Sequence, residues 1–398
     1  MKLLYININE YTEEDIAATF EELHIQYEKL KFASKDIFYA GEEVTESIDS
    51  RVSHGNYDAV FSVDYLEVLS LIADKYSIPY IAWSYDCPIV YENIKSLKLP
   101  STFLFSFDRK ECERIKKTDT DARIRHLPLA VNTKRYEKLF NTLPDHGNNI
   151  PDMEISFVGQ LYKKNDYLQE LLSDIGEYGR GFIEAVRDSN SFDYTFDTTQ
   201  ALSERVMKLI STPGLIKKAG SIYEVTGDMK AVPKELIREQ IMIDTTAHER
   251  ISILKKLSQC HDVYLYSGDD DDSLYKVKKC GTIDYDNVMP WVFKRSRINL
   301  NITYRMIRSA IPQRCLDIMA AGGFLLSNRQ AELVEHFKEG IEAEFFSSTE
   351  EAEEKCSFYL AHSELRDKVA KAGREKVRSE FTYADRFRYM LKTAGLLK

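Results

Sequence analysis

The stretch R-I-N-L-N-I-T-Y-R-M-I-R-S-A-I-P-Q-R-C-L-D-I-M-A-A-G-G-F-L-L-S-N, from Arg297 to Asn328, constrains the fold more than any other part of the 398-residue chain. Ile298, Leu300 and Ile302 alternate with Asn299, Asn301 and Thr303, which is the pattern of a strand. Arg305 and Arg308 fall in the loop that follows. Pro312 suits the first turn of a helix, where a missing N–H costs nothing. Gly322 and Gly323 end that helix, and Phe324 to Leu326 begin a buried strand. A parallel β-α-β unit binds ligands beyond the carboxyl ends of its strands, where the helix N-terminus favours anions. Gln313 and Arg314 lie four and three residues before Asp317, so the three share one helix face. A guanidinium near the loop and a carboxylate one turn deeper suit a diphosphate and a ribose diol. An amphipathic helix with solvated charges is the alternative that spacing alone leaves open.

The chain is long enough for two domains. A hydrophobic fraction of 43% beside 30% charged residues describes a soluble globular protein. The formal net charge of −10 argues against a nucleic-acid partner, whose phosphates demand basic surface. Six cysteines are scattered without C-x-x-C or zinc-like histidine spacing, so neither disulfides nor a metal centre is expected. The opening M-K-L-L-Y-I-N-I-N-E reads as a first strand rather than a signal peptide, and no apolar run approaches the roughly 20 residues of a transmembrane helix. A reduced, cytoplasmic protein is expected.

Two α/β halves follow from the order of apolar runs. Leu3–Ile8, Asp58–Val63, Pro79–Trp83, Thr102–Phe107 and Arg125–Ala130 read as strands, with helices at Thr12–Leu23 and Tyr65–Tyr76. Residues 141–152 are rich in turn formers and read as the linker. The second half restarts with strand Glu154–Val158 and Gly159, continues through a helical insertion over about 167–240, and returns to a strand at Asp262–Tyr266. The four aspartates that follow read as a solvated, mutually repelling loop rather than a metal site. The expected class is α/β, with two Rossmann-like domains at 1–150 and 151–380. A C-terminal helix over 381–398 crosses back to the first domain.

With these residues in place, the chain resembles nucleotide-sugar-dependent glycosyltransferases of the two-Rossmann GT-B architecture, and more closely the CgeB-type (spore-maturation-protein-like) bacterial enzymes. The similarity lies in the run from Tyr285 to Asn328 and in Q-A-E-L at Gln330–Leu333. It extends to F-T-Y-A-D-R-F at Phe381–Phe387, I-P-Y-I-A-W-S-Y-D-C-P at Ile78–Pro88 and L-P-L-A-V-N at Leu127–Asn132. The resemblance implies that the C-terminal domain binds the donor and the N-terminal domain presents the acceptor. Related enzymes often carry two glutamates eight residues apart, the second binding ribose, at positions matching Ser309 and Asp317. Asp317 keeps a carboxylate for the ribose, whereas Ser309 departs from the sugar-contacting acid. Gln313 departs from the small or apolar residue expected after Pro312.

The candidate donor site therefore comprises Gly159, Lys163, Ser267, Gly268, Tyr285, Met289, Pro290, Arg305, Ser309, Ala310, Ile311, Pro312, Gln313 and Asp317. Gly159 permits close backbone approach, or simply makes a strand-to-helix turn. Lys163 and Lys164 add phosphate charge or remain solvated, and Tyr285 stacks on the base with Met289 and Pro290 as walls or core. Ser267 and Gly268 face the base edge. Arg305, Arg308 and Arg314 offset charge on a leaving diphosphate. On the acceptor side Asp86, after strand Pro79–Trp83, is the candidate base, with a loop-capping role as its alternative. Trp83 and Tyr85 stack on a sugar or belong to the core, and Asn7 and Asn9 line the same cleft. His24, His54 and His126 read as structural.

The expected reaction moves a sugar from a nucleoside diphosphate sugar, UDP-linked by analogy, to a hydroxyl of a protein or glycan acceptor. No metal or other cofactor is required. A nucleotide-sugar epimerase and a non-catalytic nucleotide-sugar-binding module are the alternatives. Neither half carries G-x-G-x-x-G after its first strand, which disfavours a dinucleotide dehydrogenase.

Overall fold

The computed structural model describes residues 1–33, 37, 41–142, 149–163, 176–194, 198–211 and 234–397. Among these, the chain forms two six-stranded sheets, parallel throughout. The first contains β1 (Lys2–Asn7), β2 (Gln26–Lys31), β3 (Ala59–Val63), β4 (Tyr80–Ser84), β5 (Thr102–Ser106) and β6 (Ile124–His126), in the order β2-β1-β3-β4-β5-β6. The second contains β7 (Met153–Val158), β8 (Val263–Tyr266), β9 (Lys278–Lys279), β10 (Ser296–Asn301), β11 (Leu325–Asn328) and β12 (Glu344–Phe346), in the order β12-β11-β10-β7-β8-β9. Both are Rossmann-like. Strand order reverses between β1 and β3 in the first sheet and between β7 and β10 in the second. At such points the crevice beyond the strand ends is open to a ligand.

Every residue of β3 and β4 is buried, as parallel strands covered by helices on both faces require. The alternation along β10 does not mark a solvent face. Asn299 and Asn301 are 0% and 5% exposed, and their amides are paired inside the sheet. Asn299 accepts from the Ser156 hydroxyl (3.1 Å) and donates to the Phe293 carbonyl (3.0 Å), while Asn301 donates to Thr303 and Ser327 hydroxyls. Buried amides of this kind are tolerated only when paired.

Several elements depart from the sequence pattern. β2 is a polar edge strand, Q-Y-E-K-L-K, without the apolar run that announces its neighbours. The strand expected over Arg125–Ala130 ends at His126, because Pro128 cannot continue a ladder. Helix Thr133–Thr142 runs into the expected linker, of which 143–148 lie outside the described residues, as do 167–175, 195–197 and 212–233 of the expected insertion. Described helices there are Gly176–Asn190, Thr198–Ala201, Glu204–Ile210 and the start of Lys234–Leu257.

The C-terminal helix Tyr383–Thr393 packs on the first sheet. Phe387 meets Phe20 at 4.9 Å, Phe61 at 5.1 Å and Trp83 at 6.3 Å between ring centroids. Arg386 donates to the Pro128 carbonyl (2.9 Å), and Val131 N–H donates to the Phe381 carbonyl (2.8 Å). One apolar core therefore runs from β1 and β3 through this helix to helices Met289–Arg295 and Gln313–Ala320.

Candidate active site

The loops at the carboxyl ends of the two sheets meet each other. Asp108, after β5, accepts from the N–H groups of Arg308 (2.6 Å) and Ser309 (3.2 Å) and from the Ser309 hydroxyl (2.7 Å). The same Ser309 hydroxyl lies 2.8 Å from Glu332, the alternative acceptor for its single proton, and Glu332 pairs with His126 at the end of β6 (2.7 Å). One turn into the helix after β10, the Asp317 carboxylate accepts from Tyr136 of the first domain (3.0 Å), from Tyr285 (3.2 and 3.3 Å) and from Gln313 (2.9 Å). Gln313 donates as well to the Ala130 carbonyl (3.1 Å). Burial raises the Asp317 pKa, opposed by Arg314, Gln313, Arg135 and Tyr136.

Of the residues singled out in the sequence, Tyr285, Met289, Gln313, Arg314 and Asp317 form one cluster. Tyr285 lies beside Tyr11, with 5.3 Å between ring centroids. The Arg314 guanidinium contacts the Met289 sulfur and lies over the Phe293 ring at 5.7 Å. Pro290 sits at the start of its helix, and Ala310 and Ile311 are core residues at 0% and 1% exposure. Pro312 caps helix Gln313–Ala320 from an extended conformation.

Four residues stand apart. Arg305 is turned into the helical region, where it donates to the Asp193 carbonyl (2.8 Å), approaches Glu249 (3.7 Å) and covers the Tyr194 ring at 4.2 Å. Lys163 pairs with Asp271 at 3.5 Å, in the four-aspartate loop. That loop is not simply solvated, since Asp269 accepts from Tyr162 N–H (2.7 Å) and Asp270 pairs with Lys279 (2.6 Å). Ser267 accepts from Asp269 N–H (3.0 Å), closing the turn at Gly268, and Lys164 lies outside the described residues.

Sequence pattern missed Arg250. It projects from helix Lys234–Leu257 into the crevice between β7 and β10, at the strand-order reversal. Its guanidinium donates twice to the Ile302 carbonyl (2.6 and 3.0 Å) and to the Gln160 carbonyl, under the Tyr162 ring at 5.0 Å. A Cβ at Gly159 would stand 3.3 Å from the Phe157 ring and 3.8 Å from this guanidinium. Its only sequence signal is an arginine amid an otherwise apolar helix stripe.

In the first domain, Trp83 is fully buried, donates to the Leu127 carbonyl (3.3 Å), and meets Tyr85 and Tyr383 edge-on at 5.0 and 5.9 Å. Trp83 is therefore a core residue. Asn7 is also buried, bonded to Tyr5 and to Asn9 N–H. Asp86 stands exposed on the loop after β4. Partial loss of hydration raises its pKa. That loop is built around a second missed residue, Asp64, which follows β3 in a left-handed conformation (φ 57°). Among the described residues, no group of three or more His, Cys, Asp or Glu side chains is placed to hold a metal ion, and no helix is long and apolar enough to cross a membrane.

Residues 248–392 match the family model described as "Glycosyl transferase-like". No curated protein matches the chain. Among solved structures, sucrose-phosphate synthase from Thermosynechococcus elongatus is similar, with a TM-score of 0.58, 8% identity and coverage of 99% of this chain and 98% of that one. Anabaena HepE in complex with UDP-glucose aligns over 100% of both chains with a TM-score of 0.52 and 9% identity. T4 phage BGT in complex with its UDP-glucose substrate aligns over 99% of both, with a TM-score of 0.51 and 9% identity. Residues 248–392 thus carry a glycosyl transferase-like domain, and the two facing Rossmann-like sheets share the GT-B fold of these structures.

Proposed function

We propose that this protein is a CgeB-type, cytoplasmic enzyme that moves a sugar from a UDP-sugar to a hydroxyl of a protein or glycan acceptor without a metal ion. Residues 1–150 present the acceptor, residues 151–380 hold the donor, and 381–398 close the chain against the first domain. The observation that carries this reading is the cluster of Gln313, Arg314 and Asp317 beyond the carboxyl end of β10, facing the first domain's strand-end loops. Two solved proteins of the same fold, HepE and BGT, are complexed with UDP-glucose.

Asp317 accepts the ribose hydroxyls, and Tyr285 borders the base. Seating a ribose there displaces the Tyr136 hydroxyl, so the two domains part as the donor enters. Arg308, Arg314 and the N-terminus of helix Gln313–Ala320 face the diphosphate, with Arg250 bracing the crevice behind it. As the bond from the anomeric carbon to the diphosphate oxygen breaks, its electron pair leaves with UDP, and these cations stabilise that charge. The acceptor oxygen bonds to the anomeric carbon and gives its proton to Asp86.

The test is UDP release from UDP-sugars with glycan and peptide acceptors, in the presence and absence of a chelator. Release that persists with the chelator is expected, and release that needs an added divalent cation contradicts the metal-free mechanism. Asp317→Asn is expected to weaken UDP by about 1.5–3 kcal/mol, the range for hydrogen bonds to a charged group, and to leave a 2′,3′-dideoxy analogue nearly unchanged. Equal weakening of both ligands removes Asp317 from the ribose.

A further inference from the structure

We propose that Asp64 is the positioning residue for Asp86, holding the loop that carries it and supplying a neighbouring charge that strengthens it as a base. The inference rests on Asp86 being the acceptor-side base.

The geometry comes from one oxygen. Asp64 Oδ1 accepts from the backbone N–H groups of Tyr85 (2.8 Å) and Asp86 (3.0 Å) and from the Ser84 hydroxyl (3.1 Å). These are three successive residues, so a single carboxylate oxygen fixes the path of the whole turn after β4. The Ser84 hydroxyl also lies 2.8 Å from the Asp86 carbonyl, so its single proton is shared between the carboxylate and the turn's own backbone. Asp64 N–H donates to the Trp83 carbonyl (3.0 Å), and its carbonyl accepts from the Ser62 hydroxyl (2.8 Å). Asp64 is thereby clamped between β3 and β4. A non-glycine residue at φ 57° is held in a sparsely populated conformation, and the surrounding bonds hold it there.

Position adds to this. Asp64 leaves β3 beside β1, at the first sheet's strand-order reversal, where the crevice opens beyond the strand ends. Asp86 N–H reaches Asp64 from the adjacent loop, so the two carboxylates are neighbours on the side of the cleft assigned to the acceptor.

Chemistry follows from that proximity. Loss of hydration and the Asp86 charge push the Asp64 pKa up to about 7. The other titratable groups around it are Tyr80, whose hydroxyl lies 3.5 Å from the Asp64 carbonyl, Tyr85 and Cys87. None of these is cationic. As pH rises through about 7, Asp64 becomes negative, and its field raises the proton affinity of the ionised Asp86 beside it. The proton taken from the acceptor hydroxyl then meets a stronger base.

Asp64→Asn isolates the charge, because an amide oxygen accepts the same three hydrogen bonds. In the 398-residue chain, transfer by the wild type is expected to climb through a step near pH 7, and in Asp64→Asn that step disappears. Ser84→Ala removes one donor to the carboxylate but keeps its charge, so it is expected to move the step to higher pH. It provides an independent test if Asp64→Asn fails to fold. An Asp64→Asn profile that is lower at every pH but keeps the step, or a step unmoved in Ser84→Ala, overturns the proposal. Normal turnover in Asp86→Asn would instead remove the base assignment on which the proposal stands.

Discussion

Asp86→Asn is expected to lower the rate of sugar transfer by about a hundredfold or more, the range for loss of a general base. UDP affinity should change little, because the proposed donor site lies in the opposite domain. The substitution leaves the backbone N–H that donates to Asp64 in place, so the loop keeps its shape. The pH dependence has a definite sign. Partial loss of hydration raises the Asp86 pKa, so acidification through that raised value protonates it, and a protonated carboxyl cannot take the acceptor's proton. Transfer therefore falls on the acid side of the profile, at higher pH than an unperturbed carboxylate would give. Steady-state kinetics with a fixed donor and varied acceptor measure the effect. Turnover equal to wild type would return Asp86 to the role of a loop cap.

Trp83→Ala is expected to lower stability by about 3–5 kcal/mol, as removal of a large buried aromatic does. The side chain is fully buried, edge-on to Tyr85, Tyr383 and Phe387, and bonded through its indole N–H to Leu127. Its loss opens a cavity where the C-terminal helix joins the first sheet. Urea unfolding gives the value. A variant with unchanged stability and a weakened acceptor KM would identify Trp83 as a sugar platform instead.

The sequence made the two parallel sheets legible because their central strands are short apolar runs separated by helical patterns. β3, β4, β5, β7 and β8 were all visible in this way. β2 was not, since an edge strand with polar side chains differs little from a solvated loop. The helix after β10 was readable from Pro312, the spacing of Gln313, Arg314 and Asp317, and the closing glycines. What spacing could not supply was the direction of the loop arginines. Arg305 precedes the helix as Arg308 does, yet it turns towards Glu249, a buried partner fifty-six positions earlier in the chain. Arg250 was illegible for the complementary reason, as a cation on a helix far from any phosphate-like motif whose carbonyl partners lie just after two different strands. Asp64 was hidden similarly, because its three donors lie about twenty residues away and an aspartate after a strand reads as an ordinary turn former.

The central claim is that the second domain holds a nucleoside diphosphate sugar through its diphosphate and ribose. Calorimetric titration of uridine, UDP and a UDP-sugar into the wild-type chain and into Arg314→Ala tests it most directly. UDP is expected to bind the wild type far more tightly than uridine, with Arg314→Ala losing about 1.5–3 kcal/mol for UDP, the range for a charge-assisted hydrogen bond, and little for uridine. Equal affinity for uridine and UDP in the wild type, or no binding of either, would contradict the account.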